Sequence, residues 1–180
     1  MEAQLARYLA PRLAGDSPVT ISNLSRIPGG ASRETWMFDA TYRDPNGIEC
    51  TASLVLRKDP PASLLDTDRE AEYAFYSSFW GTNVPVPRMR WLEPDASVLG
   101  GPFFIMDRIS GCEAQPRILM EPRYEAARPR VAQRFYEIMA GIQALDWSKT
   151  PIAKVAEPPP LDGAWKKELD HWERIITENE

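Results

Sequence analysis

From Val19 to Arg57 apolar and polar residues alternate with the period of two that marks half-buried strands. VTISNLSRI reads as a first strand, closed by a turn at Pro28-Gly29-Gly30. In ETWMFDATYR the residues Trp36, Phe38, Ala40 and Tyr42 share one face. DPNG, Asp44 to Gly47, is a hairpin signal. The return strand IECTASLVLR places Ile48, Cys50, Ala52, Leu54 and Leu56 on one face, with Glu49, Thr51, Ser53, Val55 and Arg57 on the other. These segments predict an antiparallel meander.

The pattern then changes. KDPPASLLDTD leads into a helix over about Asp68 to Trp80, with an inward stripe of Ala71, Ala74, Phe75, Ser78 and Phe79. A fourth strand is predicted near Met89 to Leu92, a turn at Gly100-Gly101, and a buried strand in the nearly continuous apolar run PFFIMDRI. After Gly111 the spacing is helical. Val131, Phe135, Ile138, Met139, Ile142 and Leu145 form a stripe too apolar to face water. VAEPPPLDG is a stiff connection to a last helix, about Ala164 to Thr177, with Trp165, Leu169, Trp172 and Ile176 along one side. Leu5, Leu9 and Leu13 predict a short leading helix despite Pro11. The reading is α+β.

Composition narrows the function classes. A chain of 180 residues, 43% of them hydrophobic, can bury a core in one domain or two small ones. A net charge of −5 argues against general nucleic-acid binding. No apolar stretch approaches the roughly 18 residues of a membrane span, and the N-terminus lacks the features of a signal peptide. Cys50 and Cys112 have no metal-ligand spacing and form no disulfide framework, so a reduced, cytoplasmic setting is expected.

Candidate chemistry starts at PGGASRETW. Glycines bring backbone donors close to phosphate oxygens, because no Cβ stands in the way. The same residues also make an ordinary hairpin turn, and no GK[ST] follows that would mark a Walker loop. On the third strand, alternation puts Val55 and Arg57 on the ligand-facing side and Lys58 on the other: an apolar floor followed by a cation. An arginine paired with any surface carboxylate fits equally well. TDRE is a capping box with Thr67 as N-cap and Glu70 three residues on; Glu70 can equally pair with the strand cation. Glu72 competes for that role but points away from the near neighbours of the Ala71/Phe75 stripe. In FFIMDRISG the backbone of Asp107 to Ile109, beyond the strand, can act as a hinge for a base edge.

The order of these parts resembles the nucleotide-binding half of the protein-kinase-like fold. PGGASRETW, LVLRKDPPASLL, DREAEYAFY, VPVPRMRWLEPD and GGPFFIMDRISG look like N-terminal segments of the aminoglycoside phosphotransferase and choline-kinase-like family, and the helix ending IQALDW is similar to the one after its hinge. The resemblance implies a kinase-like N-lobe over 1–110, a five-stranded antiparallel sheet plus one packed helix, with a leading helix. Residues 111–180 would hold the hinge exit and the first helices of an incomplete helical lobe. It further implies that Gly29, Gly30, Ala31, Ser32 and Arg33 cover the phosphates of ATP or GTP. Arg57 stands where lysine is usual, Glu70 is its partner, Val55 lies on the purine, and Met106, Asp107 and Ile109 line the hinge side. A guanidinium is broader than an ammonium and binds bidentately, so the phosphate contact need not be the lysine's.

Phosphoryl transfer also needs a carboxylate for the acceptor hydroxyl and ligands for Mg²⁺. In this family those resemble H-G-D-x-x-x-x-N and a later Asp, and no such stretch occurs here. The single histidine, His171 in LDHWERI, reads as a surface partner of Asp170. The expectation is the nucleotide-binding portion of a small-molecule phosphotransferase, inactive alone, with the acceptor site and metal ligands in a missing helical part. Exposed apolar surface on a truncated lobe would invite self-association. The alternative is a non-catalytic, kinase-like binding or interaction module.

Overall fold

A computed structural model describes residues 1–15, 17–28, 34–60, 68–111, 118–158 and 162–178. The loop residues Gly29, Gly30, Ala31, Ser32 and Arg33, together with Thr67 and Cys112, lie outside the described residues.

Five strands, β1 (Thr20–Arg26), β2 (Glu34–Arg43), β3 (Glu49–Lys58), β4 (Met89–Glu93) and β5 (Phe103–Asp107), form one antiparallel sheet in the order β1-β2-β3-β5-β4. The long β2–β3 ladder runs unbroken from Glu34↔Lys58 to Arg43↔Glu49. Its turn is fixed by Asp44, whose Oδ1 accepts the backbone N–H of Asn46 at 2.9 Å and of Ile48 at 2.8 Å. Gly47 closes the turn at φ 79°, where a side chain would be strained. The alternation read from the sequence is real: Phe38, Ala40, Leu54, Leu56, Phe103 and Ile105 share a buried face. Ile48 falls just outside the strand and is exposed.

Helix α1 (Glu2–Leu13) covers that face with Leu5, Tyr8 and Leu9, and Leu13 packs at its margin. The Tyr8 ring meets Phe103 edge-on at 5.0 Å between centroids. Pro11 lies in the last turn, where it removes a single backbone donor from the helix. Lys58, on the same side of β3 as Leu56, is buried and reaches Glu34 Oε2 at 3.2 Å and the Leu99 carbonyl at 3.3 Å.

Helix α2 (Arg69–Phe79) lies against β4 and β5. Its N-cap is Asp68, not Thr67: the Asp68 carboxylate accepts from the N–H groups of Glu70 at 2.8 Å and Ala71 at 3.0 Å. Glu70 therefore belongs to the first turn and does not close a capping box from the third helical position. The inward stripe also differs from the sequence expectation. Phe75 is 47% exposed, whereas the charged Arg69 is buried with Ala74, Ser78 and Phe79. Ala74, Ser78 and Phe79 thus face inward as the stripe predicts, while hydrophobic periodicity does not count the buried arginine beside them.

Beyond the sheet come α3 (Arg128–Gln143), α4 (Ala164–Glu178) and short 3-10 turns at Ile118–Met120, Pro122–Ala127, Trp147–Lys149 and Pro151–Lys154. α3 is tied to the α2–β4 connection by Arg134 Nη2, which donates to the Asn83 carbonyl at 3.0 Å. Gly141 permits that approach, since a Cβ there would lie 2.9 Å from both Asn83 Oδ1 and Val84 Cγ2. The α4 stripe and half of the α3 stripe predicted to face inward are instead open: Phe135 is 60% and Trp165 is 65% exposed, while Ile138, Ile142 and Leu145 are half-buried. α1 and α2 already occupy the two sides of the sheet, and Leu119 and Met120 line a cavity beside Val131 and Phe135.

The Gly100-Gly101 turn presses on the end of β3. A Cβ on Gly101 would stand 2.5 Å from the Asp59 carbonyl oxygen, a backbone atom that cannot swing aside. Gly101→Ala is expected to destabilise by about 2 kcal/mol and to lower Tm by roughly 4–8 °C, measured by thermal denaturation against wild type.

Candidate functional site

The face of the sheet opposite α1 is organised in rungs, because residues two apart point the same way. Register places Arg57 between Thr35 and Phe104, Val55 between Met37 and Met106, and Ser53 beside Asp39. Successive rungs are about 6.7 Å apart along the strands. The surface thus reads cationic at Arg57, apolar at Met37, Val55 and Met106, and polar at Asp39 and Ser53.

At the cationic end, Arg57 Nη1 donates to Glu72 Oε1 at 2.6 Å. The sequence expectation of Glu70 is thereby corrected. Glu70 is exposed at the start of α2, while Arg69, Glu72 and Tyr73, spaced i, i+3, i+4, form the face turned to the sheet. Glu72 Oε2 accepts from Arg69 Nη1. Arg69 Nε and Nη2 both donate to Asp59 Oδ1, at the end of β3. Phe104 lies under both cations, with the Arg57 and Arg69 Cζ atoms 5.9 and 5.7 Å from its ring centroid. Tyr73 meets the same ring edge-on at 6.2 Å. Lys58, one residue on, is turned to the other side of the sheet, as alternation requires.

The Arg57 side chain is 20% exposed, and its Nε is buried without a hydrogen-bond partner. A guanidinium N–H without a partner is a donor suited to an oxyanion. For a metal the described residues offer less, since no group of three or more His, Cys, Asp or Glu among them could hold an ion.

At the polar end, four elements meet on one carboxylate. Asp39 accepts from Asn23 Nδ2 at 2.8 Å, Ser53 Oγ at 2.7 Å and Arg108 Nη2 at 2.8 Å. Asn23 reaches it because β1 is irregular between Ser22 and Ser25, with Asn23 in the left-handed region at φ 53°. Asparagine is among the few non-glycine residues that adopt this readily. Arg108 follows β5, and its backbone N–H donates to the Ser53 carbonyl at 3.0 Å. Asp107 is held by Arg90, whose Nε donates to its Oδ1 at 2.6 Å. Arg69, Asp59 and Asp39 were not singled out from the sequence for this site; Glu72 was named only as the competitor of Glu70, and Arg108 only within the hinge backbone. The available signal was the i, i+3 pairing of Arg69 with Glu72.

The Asn23 amide and Ser53 hydroxyl, helped by Arg108, hold the Asp39 carboxyl below the usual carboxylate range despite its desolvation. The stabilisation from a depressed pKa is fully present above the ordinary Asp value of about 3.9 and is lost as pH falls through the lower folded-state value. Asp39→Asn should therefore cost about 1.5–3 kcal/mol at neutral pH. The gap from wild type should close progressively on acidification below about pH 4, followed by urea unfolding at a series of pH values.

Comparison with known proteins bears on the fold and the family. A model described as the phosphotransferase enzyme family matches residues 23–175. A solved protein of Ralstonia eutropha JMP134, described as a candidate aminoglycoside phosphotransferase, is similar at TM-score 0.64 and 22% identity, covering 96% of this chain and 46% of that one. A thermostable N203A mutant of aminoglycoside phosphotransferase APH(4)-Ia, in a ternary complex with AMP-PNP and hygromycin B, is similar at TM-score 0.50 and 21% identity, covering 83% and 44%. The chain thus spans less than half the length of these neighbours. With a kinase-like α+β fold and a family match over most of its length, the chain belongs to the phosphotransferase enzyme family.

Proposed function

We propose that this chain is the nucleotide-binding portion of an enzyme that transfers the γ-phosphoryl group of ATP or GTP to a hydroxyl of a small molecule. The observation that carries the reading is the Arg57–Glu72 ion pair on the edge of an apolar floor, with a buried Arg57 N–H left unpartnered. A purine on Met37, Val55 and Met106 directs its phosphates toward Arg57. The Asp107 carbonyl and Ile109 N–H meet the base edge, since the Arg108 N–H is already bonded to Ser53. Gly29, Gly30, Ala31, Ser32 and Arg33 cover the phosphates from the β1–β2 connection. Support for a bound nucleoside triphosphate comes from the related APH(4)-Ia complex with AMP-PNP.

The chain's own part in this reaction is binding and orientation. Arg57 holds phosphate oxygens by charge and by a fixed pair of donors, and Glu72 holds Arg57. Mg²⁺ would neutralise charge on the β- and γ-phosphates. We assign its ligands, and the carboxylate that orients the acceptor hydroxyl, to a helical part outside these 180 residues, in keeping with the greater length of the solved neighbours. On the same reading, 1–110 is the nucleotide-binding lobe and 111–180 begins the helical one.

Calorimetric titration with Mg-ATP and Mg-GTP tests the site. Saturable binding is expected. Arg57→Ala should weaken it by about 10- to 100-fold, the worth of a charge-assisted hydrogen bond, while Lys58→Met should leave it unchanged. No saturable binding by wild type, or equal affinity for wild type and Arg57→Ala, overturns the assignment.

A further inference from the structure

Where β5 runs out, Arg108 bonds back to the sheet twice, through its backbone and through its side chain. Its N–H donates to the Ser53 carbonyl at 3.0 Å. Its guanidinium turns back along the ligand-facing side, where Nη2 donates to Asp39 Oδ1 at 2.8 Å and to Ser53 Oγ at 2.9 Å. The two acceptors are themselves joined, since Ser53 Oγ donates to the same Asp39 oxygen at 2.7 Å, and they stand opposite each other in the β2–β3 ladder. Asn23 Nδ2 holds the other Asp39 oxygen from β1 at 2.8 Å. With the Asp39 side chain only 13% exposed, this pair is less screened than one on the open surface. On the opposite flank Asp107 is fastened to β4: its N–H donates to the Arg88 carbonyl at 2.9 Å, and its carboxylate takes Arg90. The chain is thus held from both sides up to Arg108, and Ile109, the next residue, is 53% exposed.

We infer that Arg108 is a positioning residue: its side chain, anchored on Asp39 and Ser53, fixes the backbone of residues 107–109 so that the Asp107 carbonyl and the Ile109 N–H meet the edge of the nucleotide base at a set spacing. This rests on the nucleotide reading above. The anchor lies one rung, about 6.7 Å along the strand, from the apolar floor at Val55 and Met106. The backbone of Arg108 orients the peptide that carries the Ile109 N–H. A side chain free to swing lets that peptide turn, and a hydrogen bond weakens steeply as its donor leaves the line to the acceptor. A donor and an acceptor held in place beforehand also cost less ordering when the ligand arrives. Removing the guanidinium leaves Asp39 with a donor on each oxygen, Asn23 on one and Ser53 on the other, so the sheet keeps its own bonds.

The test separates base from phosphate. Backbone amide shifts of nitrogen-labelled protein are followed on titration with Mg-AMP-PNP and, separately, with adenosine, which keeps the base and lacks the phosphates. Arg108→Met is expected to weaken both ligands by the same factor, about 3- to 10-fold, the worth of one hydrogen bond. Arg57→Ala should weaken Mg-AMP-PNP alone. Arg108→Lys, which keeps the charge but not the fork, should weaken both ligands by less, as should Ser53→Ala; these two carry the test if Arg108→Met does not fold. In the free protein, protection of the residue 108 amide against exchange should fall about tenfold in Arg108→Met, while the Phe38 amide in the core keeps its rate. Weaker Mg-AMP-PNP with unchanged adenosine means that Arg108 acts by its charge alone and overturns the inference. Unchanged affinity for both ligands overturns it, as does equal loss of protection at residue 108 and Phe38, the mark of a purely structural role. Wild type that binds Mg-AMP-PNP but not adenosine leaves no base contact to position and overturns it too. Wild type that binds neither removes the nucleotide reading, and the purpose given to Arg108 with it; the exchange rates then report separately on whether Arg108 holds this segment.

Discussion

Glu72 shares its carboxylate between two guanidinium groups, and the placement of α2 on the sheet depends on that arrangement. Removing two arginines and two carboxylates from water costs several kcal/mol per ion before any pairing. The geometry that offsets this cost leaves little freedom. Arg69 lies between Asp59 and Glu72, and the Phe104 ring provides a polarisable surface below both cations. Such a cluster contributes less to net stability than an apolar core of the same volume. It fixes one orientation of the helix, because any rotation would leave a buried charge without its partner.

The sheet was plain in the sequence because alternation and turn chemistry agree there. Phe38, Ala40, Leu54 and Leu56 mark one face, and Asp44 to Gly47 mark the reversal. The same alternation separated Arg57 from Lys58, which the structure places on opposite sides of β3. The site was less legible where its residues depend on helix rotation. The stripe of Ala71, Ala74, Phe75, Ser78 and Phe79 placed Ala74, Ser78 and Phe79 correctly, but it missed buried Arg69 and counted Phe75, which is exposed, and the carboxylate facing the strand is Glu72. The link between Asp39 and Arg108 escaped notice for a different reason. They are distant in sequence, and only the pairing of β3 with both β2 and β5 brings them together around Ser53.

Two ends of one surface thus have different characters. At the Arg57 end two guanidinium groups face two carboxylates and one donor is left unsatisfied, whereas the Asp39 end is internally satisfied by Asn23, Ser53 and Arg108. The ordinary Lys58–Glu34 pair on the opposite face shows how a neighbouring cation can be given over to packing instead.

The buried cluster around α1 is drawn entirely from residues between Leu5 and Ile105. Every partner needed to close that core has therefore been made well before α3 and α4 emerge during synthesis. Domains generally fold as units, N-terminal first, while the chain is synthesised at about 5–20 residues per second. The sheet and its two helices can condense while the later helices are still being translated, and α3 and α4 then add to a scaffold already in place. Their open apolar stripes become the part of the nascent chain that most needs protection.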